Sequence, residues 1–257
     1  MTLLNQLRTA AAAPGSVQLA SLAQAGVSIL TASGTRLVID PYLSDYVAHV
    51  IGAGFARLLP PPIAAEDLPA DVVLITHAHP DHLDMDALPI IAARTDALFI
   101  GAPDCEAGFR EMGLSATRFR ILRAGESTTV REVTIRAIDA DHGELAAEAI
   151  GYLLTVDGIT IYNAGDTGFT AERLLASLAA SPVDVMLAPI NGAYGNLDAT
   201  TACALAALIH PRMLLGNHVG MFREHGGDPA AFLRQASSTL PGIITRVLAS
   251  GESITYP

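Results

Sequence analysis

Short apolar runs alternate with amphipathic segments along the whole chain, and this pattern predicts strands and helices in both halves. Runs rich in β-branched residues and bounded by turn residues predict strands. They lie at residues 27–31, 36–40, 72–76, 98–101, 133–138, 152–156, 159–163, 185–188 and 213–216. Between two of these runs, the dipeptide Asp157-Gly158 predicts a tight hairpin.

Segments with helical periodicity follow many of the strand runs. The predicted helices lie at residues 83–94, 104–112, 170–180, 198–209 and 228–239. Asp228 followed by Pro229 is typical of an N-cap with proline at the first helical position. Residues 1–16 predict a short N-terminal helix or arm, and residues 44–70 predict one long irregular loop near a functional site.

The order of these elements predicts an α/β fold with mixed sheets. Strand runs dominate both halves, and helices follow them in each half. A four-layer αββα sandwich, with helices outside two packed sheets, fits this order better than two independent domains. We therefore expect residues 1–257 to form a single domain.

Composition narrows the class of partner. Hydrophobic residues make up 51% of the chain and charged residues 16%, which is typical of a globular protein. The net charge of −11, from 15 basic and 26 acidic residues, disfavours binding to nucleic acid or anionic membranes. We expect a small-molecule substrate. Without a signal peptide or an apolar run of about 18 residues, the expected location is the cytoplasm.

The stretch LITHAHPDHLDM, residues 74–85, carries the densest candidate chemistry. It contains four ligand-type residues directly after an apolar run: His77, His79, Asp81 and His82. In an extended chain His77 and His79 point to the same side. Pro80 disfavours a helical conformation at His79 and turns the chain. We expect Asp81 and His82 to face back toward the same site.

Three further ligand-type residues each follow a predicted strand: His142, Asp166 and His218. Together with the first four they supply five imidazoles and two carboxylates, which suit zinc, manganese or iron(II) rather than calcium. Seven ligands are too many for one tetrahedral ion. They suffice for two divalent ions about 3.5–4 Å apart, with Asp166 as the natural bridge.

These residues resemble a known family. The motif HAHPDH with His142, Asp166 and His218 resembles the metallo-β-lactamase superfamily, which implies an αββα hydrolase fold. Four stretches are similar to its ascorbate-6-phosphate lactonase branch: IDPYLSD (39–45), PPPIAAEDLPADVVLITHAHPDHLD (60–84), INGAYGN (190–196) and HVGMFREHGGDP (218–229). The resemblance is also compatible with a homo-oligomer.

The resemblance implies a division of the ligands between two ions. One ion would be held by His77, His79 and His142, and the second by Asp81, His82 and His218. Asp166 would lie between the ions. Asp40 would lie beneath the site, as a partner that supports a ligand from behind.

The candidate substrate residues lie in two loops. The loop after Asn191 is longer and carries arginines in the lactonase branch, whereas here it reads NGAYGNLDATT without a basic residue. Arginine is the usual bidentate ligand of phosphate, so the loop argues against a phosphorylated substrate. Arg57 and Arg223 are the remaining candidates for that role. Asn191 and Tyr194 could donate hydrogen bonds to an oxyanion, and Asn196 is interpreted as a turn residue.

We therefore predict a metal-dependent hydrolase that opens a small lactone or ester, such as a sugar lactone with or without a phosphate. Two ions, zinc or manganese with iron as an alternative, would activate a water molecule at neutral pH. Asp81 and His218 are predicted to serve catalysis, Asp81 by orienting the water. The alternatives are a phosphodiesterase acting on a small or cyclic phosphodiester, and a metal-binding protein that is not a hydrolase.

Overall fold

The computed structural model describes Leu3, Leu7 and residues 12–179 and 181–257. The chain divides into two compact units, which we call unit 1 (Met1–Leu122 and Leu248–Pro257) and unit 2 (Arg123–Val247). Each unit is built on one seven-stranded sheet. Within the predicted N-terminal arm, Leu3 and Leu7 are helical and buried, and residues 1–2, 4–6 and 8–11 lie outside the described residues.

The described residues form fourteen strands and six α-helices, with short 3-10 turns between some of them. The strands are β1 Val17–Ala23, β2 Gly26–Thr31, β3 Arg36–Ile39, β4 Val72–Ile75, β5 Leu98–Gly101, β6 Phe119–Ile121, β7 Ser127–Val130, β8 Val133–Asp139, β9 Ile150–Val156, β10 Ile159–Asn163, β11 Val185–Pro189, β12 Met213–Asn217, β13 Ile244–Val247 and β14 Ser253–Tyr256. The helices are α1 Tyr46–Val50, α2 Leu88–Arg94, α3 Glu106–Glu111, α4 Ala171–Leu178, α5 Ala199–Ile209 and α6 Pro229–Thr239. None of the described helices is both long and apolar enough to cross a membrane.

The sheet of unit 1 has the strand order β14-β1-β2-β3-β4-β5-β6. Strands β14, β1, β2 and β3 pair antiparallel, whereas β3, β4, β5 and β6 pair parallel. Parallel neighbours end at the same edge of a sheet, and an antiparallel hairpin that pairs with them turns at that edge. The residues after β3, β4 and β5 therefore share one edge with the turn between β1 and β2.

The sheet of unit 2 has the order β13-β12-β11-β10-β9-β8-β7. Strands β10 to β13 pair parallel, and β7 to β10 pair antiparallel. Because β8 and β10 both oppose β9, they run in the same direction and end at the same edge. The loops after β8, β10, β11 and β12 therefore share one edge of this sheet.

The helices of unit 2 bury one face each in a common core. Leu174 of α4, Leu205 of α5 and Phe232 of α6 belong to a single cluster with the strand residues Met186 and Leu214. All five side chains are fully buried. This packing holds the sheet rigid under the loops at its edge.

The predicted strand runs all coincide with strands, and the Asp157-Gly158 hairpin joins β9 to β10 antiparallel as predicted. Two predictions need correction. The helix predicted at 83–94 begins only at Leu88, because Asp84 accepts hydrogen bonds from the N–H groups of Asp86 and Ala87 (3.1 and 3.0 Å) and holds a turn there. The 44–70 loop is not wholly irregular, since it contains α1 and two 3-10 turns.

Asp84 also anchors the start of that loop. It accepts hydrogen bonds from the backbone N–H groups of Leu43 and Ser44 (2.9 and 3.0 Å) and from the Ser44 hydroxyl (2.5 Å). Burial raises the pKa of the Asp84 carboxyl, while these hydrogen bonds oppose the shift. The histidine-rich segment and the loop are thus tied together through one buried carboxyl.

Candidate metal centre

In unit 1 the predicted ligands lie in a tight turn directly after β4. The N–H groups of His82 and Leu83 both donate to the carbonyl of His79, at 2.9 and 2.8 Å. His77 Nε2 lies 2.8 Å from His79 Nδ1, and His82 Nε2 lies 3.6 Å from Asp81 Oδ2. His77 and His82 are completely buried, and Asp81 is 8% exposed. The turn therefore brings all four side chains of this stretch together.

Asp40, at the end of β3, supports this turn from behind. Its Oδ2 lies 2.9 Å from His82 Nδ1, and its Oδ1 accepts a hydrogen bond of 2.8 Å from the Thr76 N–H. The Thr76 hydroxyl donates to Asp40 Oδ2 at 2.7 Å and lies 3.0 Å from His77 Nδ1. A carboxylate on one ring nitrogen fixes the tautomer and leaves the other nitrogen to bind a metal. Asp40 is therefore built to orient His82.

Two further contacts in unit 1 were not anticipated from the sequence. Gln24 Nε2 donates to Asp81 Oδ2 at 2.9 Å, and the Ala78 N–H donates to Asp104 Oδ2 at 3.1 Å. The contact of Asp104 could have been predicted, because Asp104 follows the parallel strand β5, which ends beside β4. Gln24 carried no such signal, since it lies in a hairpin turn 57 positions before Asp81.

In unit 2 the three predicted ligands also come together. Asp166 Oδ1 lies 3.2 Å from His218 Nε2, and Asp166 Oδ2 lies 3.7 Å from His142 Nε2. Each of the three residues is at most 4% exposed. The two carboxylate oxygens thus face two different histidines.

Hydrogen bonds join the loops that carry these ligands. The Asp141 N–H donates to Thr167 Oγ1 at 2.9 Å, and the Leu197 N–H donates to the Thr167 carbonyl at 2.8 Å. Asn196 Nδ2 donates to Asp166 Oδ2 at 2.8 Å. The interpretation of Asn196 as only a turn residue was therefore wrong, because its buried amide holds the central carboxylate.

The candidate substrate residues differ in their surroundings. Asn191 is only 5% exposed, and neither amide atom has a hydrogen-bond partner within the part of the chain that the structure describes. Tyr194 is 49% exposed, and its ring meets the edge of His225 at 5.4 Å. The His225 ring in turn stacks on His218 at 5.1 Å. Arg223 is exposed in a 3-10 turn.

Arg57, the other candidate for binding phosphate, is engaged within its own loop. Its Nη1 donates to the carbonyls of Tyr42 and Ser44 at 2.8 and 3.3 Å. The guanidinium also lies over the Tyr42 ring, 4.7 Å from the centroid. These contacts hold Arg57 against the backbone of residues 42–59, while its buried Nη2 has no hydrogen-bond partner in the part of the chain that the structure describes.

The donor atoms fit divalent metal ions. Ligands arranged tetrahedrally at about 2.0–2.1 Å from zinc lie about 3.3 Å from one another. The donor atoms of neighbouring ligands are separated by 2.8 to 3.7 Å in four pairs: His77–His79 and Asp81–His82 in unit 1, and Asp166–His142 and Asp166–His218 in unit 2. Imidazole and carboxylate donors suit zinc, manganese and iron. The histidine and aspartate clusters could therefore bind metal ions.

Known proteins share both the sequence pattern and the fold. The family described as Beta-lactamase superfamily domain matches residues 18–218. A UPF0173 metal-dependent hydrolase of Bacillus licheniformis is 31% identical, covering 86% of this chain and 92% of its own length. One of Thermococcus kodakarensis is 30% identical, covering 88% of this chain and 95% of its own length. The structure of Igni18, a metallo hydrolase of Ignicoccus hospitalis, is 25% identical with a TM-score of 0.75, covering 94% of this chain and 99% of its own.

These similarities confirm the predicted fold class, two mixed β-sheets with flanking helices. They also confirm the coarser part of the predicted activity, metal-dependent hydrolysis. The ascorbate-6-phosphate lactonase branch and the choice of substrate stay predictions.

Proposed function

The chain belongs to the β-lactamase superfamily and to its UPF0173 metal-dependent hydrolases, and on this premise we propose that it opens a small, unphosphorylated lactone or ester. Membership supports hydrolysis and the need for metal. The buried amide of Asn191 carries the choice of substrate, because it offers a neutral donor and a neutral acceptor.

We propose that seven side chains hold two divalent ions, zinc or manganese with iron as the alternative. His77, His79 and His142 would hold one ion, Asp81, His82 and His218 would hold the other, and Asp166 would serve both. The donor separations within each unit support this assignment. When bound, the ions lower the pKa of water to about 7 and stabilise negative charge on a substrate oxygen.

The residues of the chain then act on the water and on the leaving group. Asp81 accepts a hydrogen bond from the attacking water, takes its proton and delivers it to the leaving oxygen of the ester. Asp40 keeps the ring of His82 in one orientation, as its contact of 2.9 Å supports. His218 serves catalysis through Asp166, which faces it at 3.2 Å.

Asn191 is proposed to bind the substrate. A buried amide without a hydrogen-bond partner is destabilising by about 1–3 kcal/mol in proteins, and a bound ligand can remove that penalty. Its N–H groups suit an ester carbonyl, and its oxygen suits a hydroxyl. Phosphate would call for a cation, whereas the Arg57 guanidinium already donates to backbone carbonyls through Nε and Nη1, and Arg223 is exposed. This contrast supports a neutral substrate.

Proton release in a pH-stat tests the proposal. The protein is reconstituted separately with Zn²⁺ and Mn²⁺ and given sugar lactones, phosphorylated sugar lactones and a small cyclic phosphodiester. We expect acid release from the unphosphorylated lactones, reduced about tenfold or more in Asn191→Ala because a substrate hydrogen bond is lost. A preference for the phosphorylated lactones would contradict the choice of substrate. Turnover of the phosphodiester alone would replace the lactonase proposal with the phosphodiesterase alternative.

The remaining expectations from the sequence are carried as part of this proposal. They are a small-molecule substrate, a cytoplasmic location, a single domain over residues 1–257, and compatibility with a homo-oligomer. The net charge of −11 disfavours nucleic acid and anionic membranes as partners.

A further inference from the structure

The turn between β1 and β2 has an unusual composition for its conformation. Ala23 and Gln24 adopt positive φ angles of 68° and 49°. Tight hairpin turns with such angles normally use glycine, asparagine or aspartate, because other residues are destabilised by about 1–2 kcal/mol there. Gln24 nevertheless occupies this position and is only 4% exposed. A long polar side chain buried in a strained turn needs a specific hydrogen bond.

That hydrogen bond goes to one of the proposed metal ligands. Gln24 Nε2 donates to Asp81 Oδ2 at 2.9 Å, and the contact is buried. Asp81 Oδ2 is also the oxygen that lies 3.6 Å from His82 Nε2. The amide therefore fixes the carboxylate oxygen that faces the neighbouring ligand.

Gly26, directly after this turn, packs closely against Asp40, the residue that orients His82. A Cβ atom at Gly26 would lie 3.1 Å from the carbonyl oxygen of Asp40 and 2.9 Å from Leu22 Cβ. Only glycine therefore fits at this point, and the hairpin is held close to the end of β3. This close approach fixes the place from which Gln24 reaches Asp81.

We propose that Gln24 is a positioning residue that holds Asp81 in its metal-binding rotamer and so sets the affinity for the ion bound by Asp81, His82 and His218. The proposal rests on the metal centre of the proposed function. A neutral amide suits this task because it orients the carboxylate without adding a positive charge beside a divalent ion. An arginine in its place would repel the ion that the carboxylate binds.

Metal binding without any substrate tests the role of Gln24. Gln24→Met keeps the length of the side chain and removes the donor, and Gln18→Met is the matched control on a half-buried glutamine of the same hairpin. Zn²⁺ bound per chain is measured by mass spectrometry at graded free Zn²⁺, with the visible absorption of Co²⁺ as a second readout. We expect one of two ions to bind about 10–100-fold more weakly in Gln24→Met, with the other ion and the control unchanged.

Gln24→Asn is the second variant if Gln24→Met does not fold, because asparagine tolerates the positive φ of 49° at this position. Its neutral amide is one methylene shorter and is withdrawn from Asp81 without any change of charge, so we expect weaker binding of that ion than in the natural protein. Unchanged Zn²⁺ affinity and an unchanged Co²⁺ spectrum in a folded variant of either kind would overturn the proposal. Because this experiment uses no substrate, the role of Gln24 can be judged even if the pH-stat assay shows that the protein is not a lactonase.

Discussion

The two units present their ligands in opposite ways. Unit 1 draws four ligand-type side chains from six consecutive residues in one turn, 77–82. Unit 2 draws three from loops after β8, β10 and β12, which are far apart along the chain. The supporting contacts are alike in one respect, since an amide donates to Asp81 in unit 1 and to Asp166 in unit 2. Unit 1 also has a carboxylate, Asp40, that supports His82. A local turn can assemble ligands alone, whereas dispersed ligands depend on which strands end at the same edge.

The largest effect is expected at Asp166, the residue that faces two histidines. Asp166→Ala should reduce kcat/KM for lactone hydrolysis about a thousandfold, equivalent to about 4 kcal/mol, because both proposed ions lose a ligand. Metal content should fall together with activity. Asp157→Asn in the β9–β10 turn of the same unit is the control and should leave both quantities unchanged. An Asp166→Ala protein that retained full metal content would show that this carboxylate is not shared.

His79→Ala tests the turn of unit 1 alone. We expect loss of one ion and a decrease in kcat/KM of about a hundredfold, since one of the ligands of that ion is removed. His49→Ala is the control, because His49 is an exposed histidine of the same unit whose Nδ1 lies 2.6 Å from the surface carboxylate of Asp86. If His79→Ala kept both its metal and its activity, the ligand assignment in this turn would be wrong.

Smaller losses of metal affinity are expected at Asp40 and Asn196, the two residues that support His82 and Asp166. Asp40→Asn should weaken binding of one ion about 10–100-fold, because a neutral amide no longer stabilises the orientation and basicity of His82 as a carboxylate does. Asn196→Ala should weaken binding less, by under about tenfold, because it removes a neutral hydrogen bond to Asp166. Isothermal titration with Zn²⁺ measures both. Equal losses would mean that the charge of the supporting residue does not matter.

The smallest effect is expected at Arg223. The residue is exposed, so Arg223→Ala should change kcat/KM for an unphosphorylated lactone by less than about twofold. The same variant is assayed on the phosphorylated lactone. A selective loss of about tenfold on that substrate alone would assign Arg223 to phosphate binding and would argue for the lactonase branch seen in the sequence.

The same contrast explains what the sequence could predict. The ligands in the histidine turn could be predicted because they lie close together in the sequence. The ligands of unit 2 could be predicted because each follows an apolar strand. Five strands were missed. Strands β6, β7, β13 and β14 have few buried positions, which leaves only short apolar patterns. Strand β1 is mostly buried, but glutamine, alanine and serine interrupt its apolar run. Gln24 and Asn196 were missed because their roles depend on contacts between segments that no local pattern records.

Asp84 shows a different limit of the sequence. Helical periodicity extends back to residue 83, yet the helix begins at Leu88 because a buried carboxyl binds the free N–H groups of the turn. Periodicity reports which face of a segment is apolar, but the first residue of a helix is decided by its capping contacts. Only the first residue of α2 therefore differs from the prediction, and the helix itself is present as predicted.

The central proposal is that His79 and His142 bind the same ion, and a double-mutant cycle on bound metal tests this assignment most directly. Zn²⁺ per chain is measured in the natural protein, His79→Ala, His142→Ala and the double variant at one free Zn²⁺ concentration. If His79 and His142 bind the same ion, each single variant should lose that ion and the double variant should lose no more. Loss of one ion in each single variant and of both ions in the double variant would show two independent sites and contradict the account.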